Sequence, residues 1–314
     1  MTDGGQDGES PLLTQIVART RELAPLKVVA TKTIAMAEDK GSTAMDLAYV
    51  ISSDQALTAK LLRLSNSAYY GYSRRISNVR EAVILLGLRT VRSVAIATSL
   101  MDAMRAPALD GFDQNLFWGH SVCVGLSAEI IAKRTRVARP EDAFTAGVLH
   151  DLGKLAMLMT EPDRFDEMVG WIVDDGAPAR AAEREAFEGV THEVVGELLA
   201  RQWLFPAALA EAIGGHHPPA RLDATQTLAD AVAAANLSCN RAGLAAGFDW
   251  TRDEERRMGH RLPAGATEAL SGLPGGMSTI ERKARTFLRH VAGGPTSWFA
   301  TEVGQEELSE GEAA

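Results

Sequence analysis

The stretch "RPEDAFTAGVLHDLGKLAMLM", residues 139–159, decides the fold class. It is rich in Ala, Leu and Met, which are good helix formers, and it lacks the alternation of apolar and polar residues that marks a half-buried strand. One helix is predicted. Inside it His150 and Asp151 stand side by side in an apolar run, and Lys154 follows three and four residues later on the same face. Neighbours on a helix diverge by about 100°, so this imidazole and carboxylate reach one ion only if it lies between their directions, near the axis of a helical bundle.

Helical patterning extends outward in both directions. On the C-terminal side "RFDEMVGWIVDD" (164–175), "THEVVGELLARQW" (191–203), "FPAALAEAIGGHH" (205–217) and "TQTLADAVAAANLSCNRAG" (225–243) all repeat apolar residues at three- and four-residue steps. On the N-terminal side so do "NLFWGHSVCVGLSAEIIAKRT" (115–135) and "SNVREAVILLGLRTVRSVAIATSLMDAM" (77–104), the latter capped at Ser77. Gly87 within it marks either a close helix contact or a break between two helices. "AMDLAYVISSDQALTAKLLRLSNSAYYG" (44–71) divides into two short helices, the second capped by Asp54.

No Val/Ile-dense strand intervenes, so an all-α architecture is expected. The Pro-, Gly- and Asp-bearing "PALDGFD" (107–113) separates an N-terminal helical subdomain, 11–106, from a helical core, 107–243. A C-terminal helical extension, 244–300, contains the Gly/Pro-rich connection "LPAGATEALSGLPGG" (262–276). Ser278 and Glu281 then resemble a capping box for "TIERKARTFLRHVAGG" (279–294), whose Arg282, Lys283, Arg285 and Arg289 make a solvated basic face or a dock for an acidic partner. The polar ends, 1–10 and 301–314, have too few apolar side chains to offset ordering and are expected to be disordered. No internal repeat or heptad series is present.

At 314 residues with 46% hydrophobic content the chain can bury a sizeable core. The formal net charge of -9 argues against general nucleic-acid binding, because phosphate neutralisation needs a positive surface. Cys123 and Cys239 sit in apolar stretches without paired spacing, which excludes a disulfide framework and a thiolate zinc site. No leader-like start and no apolar run of spanning length is found, so a soluble, cytoplasmic protein without membrane contact is expected.

Five of the seven histidines, His120, His150, His192, His216 and His217, fall in the central part of the chain, each on or at the end of a predicted helix. One such histidine alone is a satisfied core residue; five are a candidate ligand set. Imidazole and carboxylate suit divalent iron, manganese, zinc or nickel, and buried imidazole is tolerated where its second nitrogen finds an acceptor. One or two such ions, and no organic cofactor, are expected.

The order and spacing of "FWGHSV", "AGVLHDLGKL", "THEVVGELLARQWLFP" and "AIGGHHPP", preceded by "ISSDQALTAKLLRLSNSAYYG" and "ISNVREAVILLGLRTVRSVAIA", closely resemble the HDOD family, the HD-related output domains of bacterial signalling proteins. The resemblance runs from about Leu13 to about Gly243. It implies an N-terminal helical subdomain packed on a core related to HD-type metal-dependent phosphohydrolases, and regulatory work often connected with cyclic di-GMP. Carried over from HD and HD-GYP phosphohydrolases, it makes His120, His150 and Asp151 metal ligands, with Asp151 as the bridging carboxylate. His192, His216 and His217 would complete a binuclear centre, and Lys154 would lie near a substrate phosphate, which makes Lys154 and Asp151 the candidate catalytic pair.

Two departures stand against activity. After His217 the chain reads "PPARLDATQ", without the GYP signature, and Asn236 occupies the place of the final aspartate ligand. A neutral amide attracts a cation less than a carboxylate and orients a nucleophile less well. Asp230, about 120° round the same helix, is poorly placed to substitute.

Two functions are therefore weighed. A regulatory module would act on a signalling protein partner or a cyclic dinucleotide, with Arg74, Arg75, Arg89 and Arg92 as candidate contacts and a degenerate or merely metal-binding pocket. The alternative is an active phosphodiesterase, favoured by retention of six ligand-type residues whose burial costs several kcal/mol if uncompensated. An independent effector after Gly243 is disfavoured, since that segment lacks apolar residues for its own core.

Overall fold

A computed structural model describes residues 10–23, 26–37, 39, 41–217, 224–244 and 262–291. The expected disordered ends, apart from Ser10, lie outside the described residues. Among those described there are α-helices and no strand; a lone bridge between Leu109 and Phe112 pinches the loop that divides the chain. No described helix is long and apolar enough to cross a membrane.

The helices follow in order as α1 (Pro11–Leu23), α2 (Val28–Ala35), α3 (Ala44–Ser52), α4 (Gln55–Ser65), α5 (Val79–Leu86) and α6 (Leu88–Ala103), then α7 (Gln114–Thr135), α8 (Pro140–Leu149) and α9 (Leu152–Thr160). Next come α10 (Pro162–Val173), α11 (Ala179–Ala186), α12 (His192–Gln202), α13 (Ala207–Gly214), α14 (Leu228–Arg241), α15 (Ala264–Ser271) and α16 (Gly276–Val291). Helices α2 to α6 pack on one another, and α6 lies along α8 to join them to the core. The long α7 carries α8 on one flank and α14, α15 and α16 on others.

Local chemistry sets most of the ends. Asp54 accepts from the Leu57 amide to cap α4, as expected, while Asn78 rather than Ser77 caps α5 by accepting from the Glu81 amide. Ser77 instead donates its hydroxyl to the Glu81 carboxylate. Gly87 is a break: its φ of 91° ends α5 and starts α6, a conformation that costs a side-chain-bearing residue much more than glycine. Two expectations near the C-terminus fail. The segment 262–276 holds α15, because Pro263 permits a helix to begin and Ala-rich "AGATEALS" continues it, and α16 starts at Gly276, which puts Ser278 inside its first turn.

Grouping in space departs from grouping in sequence. Helix α1, expected in the N-terminal subdomain, packs on α9 and α12 of the core, and its Arg19 and Gln15 both reach Glu161 at 2.8 Å. Helix α16 packs on both α4 and α7; its buried Phe287 meets Tyr69 on one side and Phe144 on the other, with ring centroids 5.9 and 5.7 Å apart.

Two glycine contacts bring the core helices unusually close. A Cβ on Gly147 of α8 would lie 2.6 Å from the Cα of Gly125 on α7, and one on Gly153 of α9 would lie 2.0 Å from the His192 carbonyl oxygen. Backbone therefore touches backbone at the two seams flanking His150 and Asp151. Gly153→Ala is expected to force α9 from α12, lowering stability by about 2–3 kcal/mol in chemical denaturation and weakening divalent-metal binding in the same preparation.

Candidate metal centre

The predicted single helix over 139–159 is broken where the chemistry sits. Helix α8 ends at Leu149, Asp151 takes φ −96° and ψ 11°, and α9 begins at Leu152. The break lets the His150 ring fold back so that its Nδ1–H donates to the Gly147 carbonyl at 2.8 Å, satisfying an acceptor left at the helix end. It also turns Asp151 into the interior, where the residue is 1% exposed.

Two more rings are held from behind by main-chain carbonyls. His216, just beyond α13, donates Nδ1–H to the Ile213 carbonyl at 2.6 Å, and His120 on α7 donates Nδ1–H to the Leu244 carbonyl at 2.7 Å. A carbonyl cannot donate, so in each ring Nδ1 carries a proton and Nε2 is left to face the interior. His192, at the start of α12, has Nδ1 2.6 Å from Glu183 Oε2. Its Nε2 also faces inward.

Those inward nitrogens converge on Asp151. Oδ1 lies 3.3 Å from His192 Nε2 and 3.4 Å from His216 Nε2, while Oδ2 lies 3.4 Å from His150 Nε2 and 2.9 Å from Lys154 Nζ. His192 Nε2 is also 3.2 Å from His216 Nε2 and 3.1 Å from His217 Nε2. Two ligand sets contain Asp151, namely Asp151, His192, His216 and His217, and His120, His150 and Asp151, while Glu183, His192 and Glu193 form a third grouping behind them, each with its donor atoms within 4.8 Å of one another. The first two share Asp151, and this buried His/Asp cluster could hold divalent metal.

Charge leads to the same conclusion. Burial opposes ionisation of Asp151, but His150 and Lys154 beside it hold its carboxyl well below the usual range. His192 is buried too, yet the Glu183 and Glu193 carboxylates raise it to about 10. Glu193 resists its own burial through His192 and Arg180, which lower it to about 2. Imidazole lone pairs about 3 Å apart repel unless a cation lies between them. Without metal, a proton on His192 serves; a divalent ion offers more charge and more ligand bonds.

The remaining candidates differ in burial and in partners. Asn236 is buried on α14, and its Oδ1 makes no hydrogen bond within the described structure. Asp230 is committed to a capping box with Thr227, so it cannot replace Asn236 as a ligand. Lys154 is buried as the ion-pair partner of Asp151. The four arginines do not form one exposed face: Arg92 is buried, donating to the Met36 carbonyl at 3.3 Å and lying 3.9 Å from Asp142. Arg74 pairs with Glu81, while Arg75 and Arg89 are exposed.

Sequence reasoning passed over Glu183, Arg180 and Glu193, and the helix α11 that carries the first two. The buried stripe of α11 is Ala179, Ala182 and Ala186, and the charged residues that make up the rest of its exposed faces give the segment a low overall hydropathy, so it reads as solvated despite its well-segregated faces. Its spacing, together with the helix-forming composition of "ARAAEREA", was the available clue.

Known proteins agree with this architecture. The HDOD domain family model matches residues 23–219, more than half of the chain. An uncharacterised protein of Treponema pallidum (strain Nichols) is 27% identical over 195 residues, which are 62% of this chain and 37% of that relative, so the chain spans little more than a third of it. A structure from Shewanella amazonensis SB2B, described as a candidate phosphohydrolase, superposes with a TM-score of 0.69 at 25% identity and covers 90% of this chain and 99% of its own. An HDOD domain protein of unknown function from Geobacter sulfurreducens gives 0.66 at 23% identity, covering 92% and 98%.

Because the ion competes with the His192 proton, metal binding to the purified metal-free protein is expected to release about one proton. The apparent Kd should then weaken by about tenfold per pH unit as pH falls from 9 to 7, a window below the raised value of His192. Co(II) titrations at several pH values, with calorimetry in buffers of different ionisation enthalpy, measure both.

Proposed function

The chain belongs to the HDOD family, and from that premise we propose that it is a bacterial signalling module whose HD-like centre binds one or two divalent transition-metal ions for regulation rather than for turnover. The observation that supports metal binding is the meeting of His192, His216 and His217 through Nε2 atoms at 3.1 to 3.2 Å beside the Asp151 carboxylate. When bound, the metal supplies Lewis acidity and concentrated positive charge.

Chain residues around that centre favour regulation. Lys154 is engaged with Asp151, 4% exposed, and serves as its counter-charge instead of reaching toward an incoming phosphate. Asn236 offers a neutral carbonyl oxygen where HD hydrolases hold a carboxylate. On this reading output passes to a signalling protein partner or a cyclic dinucleotide, with the exposed Arg75 and Arg89 and the Glu81-paired Arg74 as candidate contacts. The negative net charge disfavours general nucleic-acid binding.

The alternative, hydrolysis of cyclic di-GMP or another phosphoester, draws on one specific observation: two ligand sets still share Asp151, as a bridging carboxylate requires. Elemental analysis of protein purified without added metal is expected to find one or two transition-metal ions per chain, and none in a His150→Ala, Asp151→Ala double variant. Incubation of both with cyclic di-GMP and a chromogenic phosphodiester should show no difference in product. Turnover confined to the unaltered protein would replace the regulatory reading with the enzymatic one, and metal-free protein would remove both. Asn236→Asp is expected to tighten Co(II) binding at least about tenfold, because a carboxylate replaces a neutral ligand.

A further inference from the structure

Resting on the metal-binding reading, we infer that Glu183 is a positioning residue for the centre: it fixes the direction of the His192 ring and raises its strength as a ligand. Four imidazoles of the cluster have described Nδ1 partners, and three of them, His120, His150 and His216, lean on main-chain carbonyls. His192 alone leans on a carboxylate, at 2.6 Å. A negative acceptor pulls the Nδ1 proton more strongly than a carbonyl and makes Nε2 the better donor to a cation.

Burial makes this arrangement specific. Glu183 is 5% exposed, and a carboxylate there costs several kcal/mol unless its oxygens are satisfied. Both oxygens are directed to His192: Oε1 accepts the main-chain N–H at 3.2 Å and Oε2 accepts the ring N–H. Helix capping accounts only for the first bond, since α12 needs an acceptor for its leading amide and Thr191 makes no side-chain cap. The second bond goes to a ring whose other nitrogen faces Asp151, His216 and His217.

A second carboxylate faces the ring from farther off. Glu193 Oε2 stands 3.5 Å from the same Nδ1, but Glu193 is paired with Arg180, one turn before Glu183 on α11. Helix α11 thus supplies both the nearer acceptor for the ring and the cation that pairs with the other oxygen, Oε1, of Glu193. It is itself anchored by Arg164, which donates to the Ala186 carbonyl at 2.8 Å and pairs with Glu188.

The test uses the full chain, labelled with 15N-histidine, as the unaltered protein, as Glu183→Gln and as Glu193→Gln. In metal-free protein the His192 Nδ1–H is expected as a strongly deshielded proton resonance that is lost in Glu183→Gln and kept in Glu193→Gln. Co(II) should bind Glu183→Gln about 10- to 100-fold more weakly, with displaced visible absorption bands. A Glu183→Gln protein that retains the resonance, the Co(II) affinity and the bands, and loses only thermal stability, would overturn the inference in favour of capping alone. If the unaltered protein takes up no Co(II), the metal-binding reading fails, and with it the ligand-strengthening role. The ring-orienting role is then decided by the resonance: its loss in Glu183→Gln alone supports that role, and its persistence refutes it.

Discussion

A single carboxylate, Asp151, buried to 1% exposure, is the constraint around which the core is arranged. In a low-dielectric interior an isolated negative charge is strongly unfavourable, and it persists here because Lys154 and inward imidazole nitrogens surround it. The break between α8 and α9, the burial of a lysine and the back-donation of histidine rings to main-chain carbonyls or a carboxylate all follow from providing that surround. The cluster is compact because each ring is held from behind, so its front nitrogen has one direction to face.

Such convergence requires helix backbones closer than side chains ordinarily permit. Gly125 against Gly147, and Gly153 against the His192 carbonyl, remove the Cβ atoms that would hold α7 from α8 and α9 from α12. These are the seams on which His120, His150, Asp151 and His192 are mounted. Helix α16, braced between α4 and α7 through Phe287, and the buried Arg92 between α6 and α8 tie the N-terminal helices to that core. A change in the N-terminal half therefore has a packed route to the ligand helices, as a signalling module needs.

Much of the site was legible before any coordinates because imidazoles and acids are few, and their spacing along amphipathic segments is a strong pattern. His120, His150, Asp151, His192, His216 and His217 come together as expected. Arg92 was misjudged for a physical reason: a guanidinium in an amphipathic segment has the same letter whether it faces solvent or spans a helix interface. Glu183 was missed because its helix is short and rich in charge, with only alanines on its buried face, so the segment reads as solvated although its two faces are well segregated. The placement of α1 on the core was equally invisible, since periodicity says which face is buried but not what covers it.

By itself the sequence determined the all-helical class, the family and the identity of the ligand-type residues, because helix propensity, apolar periodicity and ordered motifs act locally along the chain. Tertiary structure alone decided which nitrogen of each ring faces inward, that Lys154 neutralises Asp151, and that Glu183 and the Leu244 carbonyl orient rings carried on other helices. Those outcomes depend on distances of about 3 Å between atoms on different helices, and such distances are set by how whole helices pack.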